Sequence, residues 1–450
     1  MRTNDKGLQQ NLKTSPSAGI YPLLNGSLHL TPEDGFIYPS NFRQTGRNKS
    51  VNRSASEILY HCDGSNPIEG IIEKGASLED EEPSEIAEMV RSFIEKAAGE
   101  GDLILLDSPS HEPLKITGSW DYWVPDHLNL ELTHRCNLKC KHCYIDAGPN
   151  AGGNELPTDQ LLKLLKMLAS HGSRTIELTG GEPMIHPDFL QIVECCASNF
   201  EITTLATNGY FIDEEMASKL ALHRNRVLIQ LSIDGMEKYH DDFRGVPGSW
   251  RRTLNALKLL VSKGIKPRVA MVLTRKNIDQ LDEVATLVYG LGARSFTYSP
   301  AMNIGRGEEL DMDFLLDEQV RLGEIQDSLL ERYGDFIIGQ KEPMKEEKEL
   351  TCGAGYRQWS IGPNGIVRPC LLMPDTRLSL GNLAERGEEL FKDPIIERLK
   401  DLGAPRRALC YGCEHERYCR GCIVRGISQY EKTPDCKWAK ATGLDKLLGS

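Results

Sequence analysis

The chain has 450 residues, enough for about two to four domains, and an ordinary soluble composition with 40% hydrophobic and 26% charged residues. Its formal net charge of −12 argues against a general binder of nucleic acid or anionic membrane, because both surfaces attract basic proteins. The sequence contains no apolar run near the ~18 residues of a membrane span and no signal-peptide core at its start, so we expect a cytoplasmic protein with reduced thiols.

The first 126 residues predict a tail, a small unit and a linker. Residues 1–18 are polar and aperiodic, which predicts a mobile tail. In the unit at 19–105, SLHLT and GFIYP predict two strands joined by a polar turn. Three helical patterns follow, and the last carries Ile86, Met89, Val90 and Phe93 at helical spacing. Residues 106–126 are rich in Pro, Ser and Gly, which predicts a linker.

From residue 127 to about 300, short apolar runs alternate with helical patterns. Six runs are typical of buried parallel strands: LNLEL (128–132), TIEL (175–178), ITTLA (202–206), LIQLSI (228–233), RVAMVL (268–273) and SFTY (295–298). Six units are too few for a closed eight-unit barrel and suit a partial barrel or a doubly wound sheet. In both α/β folds, ligands bind at the carboxyl ends of the strands.

Thirteen cysteines are many for a reducing compartment, and their clustering favours metal over disulfides. Ten fall into two groups: a C-x3-C-x2-C loop of Cys136, Cys140 and Cys143, and a C-terminal set of Cys352, Cys370, Cys410, Cys413, Cys419, Cys422 and Cys436. Three thiolates on one loop can hold three irons of a cubane cluster, whereas zinc would want a fourth ligand nearby. We expect Cys195 and Cys196, in an apolar run, to be buried core thiols, and Cys62 to be a core residue of a second helical turn instead of a ligand.

Polar or glycine-rich residues lie at or just after the ends of the next three strands. They are Thr179-Gly180-Gly181-Glu182-Pro183, then Thr207-Asn208-Gly209, then Ser232, Asp234 and Gly235. Each group taken alone is as consistent with a plain turn as with a ligand site. In this order, and after the cysteine loop, they resemble the radical S-adenosylmethionine superfamily over about residues 125–310.

That resemblance implies a partial (β/α)6 barrel of the TIM type at 127–340. Cys136, Cys140 and Cys143 would hold a [4Fe–4S] cluster whose free iron binds S-adenosylmethionine. It implies that the cofactor is contacted by Tyr144, Gly180, Gly181, Glu182, Pro183, Asn208, Ser232 and Asp234. Arg244 is either a further contact, with the cofactor's carboxylate, or part of a surface salt bridge.

The C-terminal cysteines resemble the SPASM extension of these enzymes, at 341–450, although zinc ribbons have similar spacing. The extension implies two auxiliary [4Fe–4S] clusters, and so three clusters in all. By that resemblance, Cys352, Cys370 and Cys422 would hold the first, and Cys410, Cys413, Cys419 and Cys436 the second. Gln358 stands where sulfatase-maturing members carry a further cysteine, so the first cluster would keep an iron open to a substrate thiolate.

The runs ASEILYHCDG and NPIEGIIEKG resemble the PqqD-like winged-helix fold, in which a leader peptide adds to a sheet edge; a stabilising appendage is the alternative. With LELTHRCNLKC and CGAGYRQWSIGPNGIVRPC, the chain resembles the sactipeptide and ranthipeptide synthases. The resemblance implies thioether crosslinks in a precursor peptide and an electron donor such as flavodoxin or ferredoxin. Carbon–carbon crosslinking, epimerisation and a non-catalytic scaffold remain alternatives. No residue stands out as a catalytic acid or base.

Overall fold

The computed structural model describes residues 19–45, 47–79, 82–110, 113–309, 316–338, 353–433 and 435–448. The tail predicted at 1–18 and the proposed ligand Cys352 lie outside the described residues. The chain folds as two compact units, one ending at Val124 and the other beginning at Pro125. None of the helices in the described ranges has the length and apolar character to cross a membrane.

In its described residues, the first unit combines six strands with four helices. The strands are β1 (Tyr21–Leu24), β2 (Gly26–Leu30), β3 (Asp34–Pro39), β4 (Lys49–Asn52), β5 (Leu103–Leu106) and β6 (Lys115–Gly118). The helices are α1 (Phe42–Thr45), α2 (Arg53–Tyr60), α3 (Ile68–Glu79) and α4 (Pro83–Gly99). One sheet has the order β4-β3-β2-β6, and β1 pairs with β5. The predicted hairpin and the three main helices are confirmed.

Three details of this unit differ from the sequence predictions. Lys115–Gly118, in the predicted linker, forms β6 and pairs parallel with β2. In this pairing Ile116 lies opposite Leu28. Met89 is 54% exposed, because the buried stripe of α4 runs through Ile86, Val90 and Ile94 and leaves Met89 beside it. Cys62 is a fully buried core residue, as expected, but it follows α2 instead of lying within a helical turn.

The second unit is built on a parallel sheet whose strands follow chain order. They are β7 (His127–Glu131), β8 (Thr175–Thr179), β9 (Ile202–Thr207), β10 (Val227–Ser232), β11 (Arg268–Leu273), β12 (Ser295–Pro300) and β13 (Ile337–Ile338). The helices beside them are α5 (Thr158–His171), α6 (Phe189–Asn199), α7 (Glu214–Ala221), α8 (Glu237–Arg244), α9 (Ser249–Ser262), α10 (Leu281–Gly290) and α11 (Leu316–Tyr333). All six predicted strands are confirmed, and the fold class is α/β.

The sheet continues beyond the barrel strands into the C-terminal region. There β14 (Gln358–Ile361) pairs parallel with β7, followed by the antiparallel β15 (Ile366–Arg368) and β16 (Gly381–Asn382). Short helices complete the region: α12 (Leu383–Arg386), α13 (Pro394–Leu402), α14 (Arg407–Cys410), α15 (Glu416–Cys419), α16 (Ile423–Tyr430), α17 (Lys437–Thr442) and α18 (Leu444–Leu448). Trp359 of β14 is fully buried, so this strand is part of the core and anchors the C-terminal region to the sheet.

The two faces of the parallel strands have different character. Leu128 and Leu130 of β7 and Ile176 and Leu178 of β8 are buried on one face, where the helices pack. Polar residues such as Asn129, Glu131 and Glu177 alternate with them and lie on the other face. The loops after the strands therefore frame a polar surface at the carboxyl edge of the sheet.

Candidate active site

The cysteine loop after β7 is preformed around its sulfur atoms. Cys136 and Cys140 are buried, and Cys143 is partly exposed. The backbone N–H of Leu138 lies 3.4 Å from Cys136 Sγ, and the N–H of Ala147 lies 3.3 Å from Cys143 Sγ. Amide donors directed at sulfur are the outer-shell contacts that cysteine-held clusters use, so the loop fits a [4Fe–4S] cluster.

Burial raises the pKa of the Cys136 thiol to about 12, with Cys140 and Cys143 adding to the shift. The free loop therefore holds a neutral thiol at Cys136, and ionisation needs a bound metal. Among the described residues, no three Cys, His, Asp or Glu side chains converge tightly enough to enclose a single ion. The fit to a cluster consequently rests on the donor set and its amide contacts.

A buried ion pair lies beside Cys140. Arg244, in the last turn of α8, donates from Nε to Asp234 Oδ2 at 2.6 Å, and its Nη1 lies 3.8 Å from Cys140 Sγ. Arg244 is 8% exposed, so it is not part of a surface salt bridge. Burial opposes ionisation of Asp234, but Arg244 outweighs it and lowers the pKa of that carboxyl. The pair places a fixed positive charge next to a sulfur of the loop.

The two glycines after β8 pack against the cysteine loop. A Cβ at Gly181 would lie 2.2 Å from the Arg135 carbonyl oxygen, and one at Gly180, where φ is +122°, would lie 2.4 Å from that of Thr133. The N–H of Gly181 donates to Thr133 O at 2.7 Å. The close approach that requires glycine here is between two protein backbones, which the sequence alone did not reveal.

Glu182 ties together three loops at the carboxyl edge. Its buried carboxylate accepts from Thr207 Oγ1 at 2.8 Å and from the backbone N–H of Asn208 at 2.9 Å. Asn208 Nδ2 in turn donates to Asn137 Oδ1 at 2.9 Å, within the cysteine loop. Burial raises the pKa of Glu182 to about 7, against the lowering effect of these hydrogen bonds. Glu182 thus has a positioning role that sequence reasoning missed.

The remaining predicted contacts lie at the same edge. Pro183 begins the 3-10 turn Pro183–Ile185 beside β8, and Ser232 is the last residue of β10. Tyr144 donates from its hydroxyl to Glu131 Oε1 at 3.2 Å. The structure therefore brings the predicted residues to one edge, while their contacts with S-adenosylmethionine stay predictions.

The C-terminal cysteines in the described residues lie in more than one place. Four of them line one cavity of about 320 Å³: Cys410, Cys413, Cys419 and Cys436. Burial, with the neighbouring thiols adding to the shift, raises the pKa of Cys419 to about 12. Cys422 Sγ accepts instead from the N–H of Arg425 at 3.5 Å, and Cys370 Sγ from that of Leu372 at 3.5 Å. The donor set in the cavity fits a cluster with four cysteine ligands.

Comparison with known proteins agrees with this geometry. The profile of the Radical SAM superfamily matches residues 130–288. The antilisterial bacteriocin subtilosin biosynthesis protein AlbA of Bacillus subtilis (strain 168) is 30% identical over 447 residues, which cover 95% of this chain and 98% of AlbA. The sporulation killing factor maturation protein SkfB of the same organism is 33% identical over 320 residues, covering 69% of this chain and 71% of SkfB.

Among solved structures, Streptococcus suis SuiB bound to S-adenosylmethionine shares the fold, with a TM-score of 0.63 and 18% identity over 92% of this chain and 97% of SuiB. The chain belongs to the radical S-adenosylmethionine superfamily. It is a radical S-adenosylmethionine enzyme of the peptide maturase type, related to AlbA and SkfB. Membership implies one [4Fe–4S] cluster and S-adenosylmethionine, and the three thiols of the loop at Cys136–Cys143 fit such a cluster.

Proposed function

We propose that the protein forms intramolecular thioether bonds, from a cysteine sulfur to a carbon atom, within a ribosomally synthesised precursor peptide. Two cysteine sites within the second unit support this proposal. A cysteine loop fit for a radical cluster and a cavity lined by four further cysteines occur together in a chain similar to AlbA over nearly its whole length.

The chemistry requires both electron entry and electron exit. When bound, the first cluster and S-adenosylmethionine supply an electron and the group that abstracts a hydrogen atom from the peptide. The substrate then loses one hydrogen atom from carbon, one proton from its thiol and one electron, and a sulfur–carbon bond forms. The electron that leaves needs an acceptor, and auxiliary clusters held by the C-terminal cysteines would supply one.

The chain's own residues would position these groups. Cys136, Cys140 and Cys143 hold the first cluster, and the polar residues at the carboxyl edge contact S-adenosylmethionine. The buried guanidinium of Arg244 lies beside Cys140, and its positive charge suits the carboxylate of the cofactor, which supports the proposed cofactor contact at this edge. Glu182 fixes the neighbouring loops, which keeps the reacting groups in register.

The first auxiliary cluster would bind the substrate thiolate. Cys370, Cys422 and Cys352 supply three ligands, and Gln358 stands on β14 in place of a further cysteine. An open iron there would coordinate the substrate sulfur and lower the pKa of its thiol, so the reaction would need no side-chain base. A peptide containing cysteine should therefore alter the electron paramagnetic resonance signal of the auxiliary clusters, and its Cys→Ser analogue should not.

The first unit would bind the leader of the precursor, with flavodoxin or ferredoxin as the electron donor. Strand β4 lies at one edge of its four-stranded sheet, and Lys49, Ser50 and Asn52 are exposed there. An edge of this kind can accept an extended peptide as a further strand. SuiB shares the fold of this chain with a TM-score of 0.64 in a solved structure in which it is bound to the precursor peptide SuiA.

Coexpression with a cysteine-containing precursor peptide tests the proposed function. The peptide should lose two hydrogen atoms for each bond, and fragmentation should locate each bond at a cysteine. Cys136→Ala, Cys140→Ala and Cys143→Ala should each abolish the mass loss, while Cys195→Ala, in helix α6, should not. Crosslinking by the three loop variants would refute their assignment, and an unmodified peptide with the loaded wild-type enzyme would refute the function.

A further inference from the structure

A short segment after β12 is docked on the cysteine loop. It is Gly305-Arg306-Gly307, at the start of the 3-10 helix Gly305–Glu309. The Arg306 backbone N–H donates to Cys143 O at 3.0 Å, and its side-chain Nε donates to Cys140 O at 2.8 Å. One residue therefore holds the carbonyl groups of two of the three loop cysteines.

The same side chain reaches the far end of the loop. Arg306 Nη1 donates to Ala147 O at 2.8 Å and to the Asp146 carboxylate. Ala147 is the residue whose N–H is directed at Cys143 Sγ. The guanidinium thus connects the carbonyl of Cys140 with the turn that supplies the amide donor of Cys143.

Glycine at position 305 allows this close docking. Its φ is +57°, and a Cβ there would lie 2.5 Å from Cys143 O and 2.7 Å from Tyr144 O. Both values are below any ordinary contact with a backbone atom, so a side chain would push the segment away from the loop. The contact between Arg306 and the loop is consequently a tight backbone-to-backbone fit and not a loose surface interaction.

The turn that Arg306 holds is strained. Asp146 has a φ of +53°, and it is the one non-glycine residue with positive φ among the residues that the structure describes. Such a conformation persists only where the surroundings enforce it. The Asp146 side chain is 75% exposed, so its ion pair with Arg306 contributes little in water. The bonds to the carbonyl groups of Cys140 and Ala147 are what keep the turn closed.

We infer that Arg306 is a positioning residue for the radical cluster: it holds the loop turn at Asp146 and Ala147 so that Cys140 and Cys143 keep the spacing the cluster needs. The inference rests on the proposed assignment of the three loop cysteines as ligands. It has a geometric and an electrostatic part. The planar fork of Arg306 directs its donors at several acceptors in a fixed geometry, whereas lysine has one compact ammonium on a flexible stem. The charge of Arg306 favours the reduced cluster.

The test compares Arg306→Gln and Arg306→Lys in the full-length protein loaded with iron and sulfide. Two readouts do not depend on turnover: the change in the electron paramagnetic resonance signal on adding S-adenosylmethionine, which reports the radical cluster alone, and the reduction potential of that cluster. Arg306→Gln should lower the fraction of chains that carry the radical cluster several-fold. In the chains that still carry it, the reduction potential of that cluster should be lower than in the wild type. Arg306→Lys should lose occupancy while its potential stays near that of the wild type.

A second experiment relieves the backbone strain at Asp146. Asp146→Gly should restore much of the occupancy lost in Arg306→Gln, because glycine adopts positive φ without penalty. Arg321→Gln, at a surface pair with Asp279, serves as the matched control and should behave as the wild type. The inference is overturned if Arg306→Gln matches Arg321→Gln in both readouts, or if Asp146→Gly restores nothing.

Failure of the inference and failure of the ligand assignment give different results. If Cys136→Ala retains the signal change on adding S-adenosylmethionine, the proposed ligands are wrong. If Cys136→Ala loses it while Arg306→Gln keeps it, only the role of Arg306 is wrong. Gly305→Ala should imitate Arg306→Gln, whereas Gly290→Ala, where an added Cβ meets open space, should have no effect.

Discussion

Arg368 Nη2 lies 2.6 Å from Glu131 Oε1, and both side chains are buried. Glu131 ends β7, directly before the cysteine loop, and also accepts the hydroxyl of Tyr144. Arg368 ends β15, two residues before Cys370. Burial would raise the pKa of Glu131, but its contacts with His134 and Arg368 outweigh this and lower it. One ion pair therefore joins the radical site to the segment that carries a proposed auxiliary ligand.

Breaking this pair should be costly. Arg368→Met leaves the Glu131 carboxylate buried without its guanidinium partner, and we expect a loss of about 3–5 kcal/mol in the free energy of unfolding. Urea denaturation of the protein measures this loss. The double variant Glu131→Gln with Arg368→Met should recover part of it, because no uncompensated charge is left. Equal stability of Arg368→Met and the wild type would show that the pair is not structural.

Acid should destabilise the protein through His240. Its ring is buried, and its Nδ1 accepts the N–H of Asp234 at 3.2 Å. Burial lowers its pKa to about 4, with Arg244 adding to the shift. An unfolded histidine takes up a proton below about pH 6.5 while the folded one stays neutral, so stability falls from pH 6.5 to pH 4, by about 3 kcal/mol for this group.

Comparison with a second histidine variant isolates that contribution. His240→Asn keeps an acceptor for the Asp234 N–H and removes the titration, so its stability should fall less steeply over the same pH range. His223→Asn, at a contact with Glu194 near the surface, is the control. If His240→Asn follows the same pH curve as His223→Asn, another group causes the acid sensitivity.

Gly181 should tolerate no side chain. An added Cβ would lie 2.2 Å from the Arg135 carbonyl oxygen, so Gly181→Ala must displace the turn after β8 or the cysteine loop. We expect binding of S-adenosylmethionine to weaken at least ten-fold, roughly 1.4 kcal/mol or more, by calorimetry on the loaded enzyme. Unchanged binding would mean that the two loops can separate without disturbing the site.

The C-terminal cavity predicts a distinct iron count. Cys410→Ala, Cys413→Ala, Cys419→Ala and Cys436→Ala should each lose up to about four irons per chain, because the four thiols serve one cluster. Cys196→Ala, at a fully buried thiol in α6, should keep the full iron content. Zinc in place of iron, in protein purified without oxygen, would instead support the zinc-ribbon alternative.

The sequence predicted the parallel strands well because buried strands are continuous apolar runs, and RVAMVL matches β11 residue for residue. Motif spacing likewise grouped the loop cysteines, whereas the set of Cys410, Cys413, Cys419 and Cys436 came from the family resemblance. It did not predict the pairing of β14 with β7 or the contact of Arg368 with Glu131, because both depend on residues far apart in the chain. Glu131, an acid at the end of an apolar strand, was the one local signal of that contact.

In the proposed reaction, a cysteine sulfur of the precursor peptide becomes bonded to carbon. Alkylation of the purified peptide product with iodoacetamide, followed by mass measurement, shows whether that sulfur is still a free thiol. Each loss of two hydrogen atoms should remove one alkylatable thiol. The same mass loss with every thiol still alkylated would mean a carbon–carbon crosslink, and deuterium gained from heavy water with no loss of hydrogen would mean epimerisation; either result would refute thioether formation.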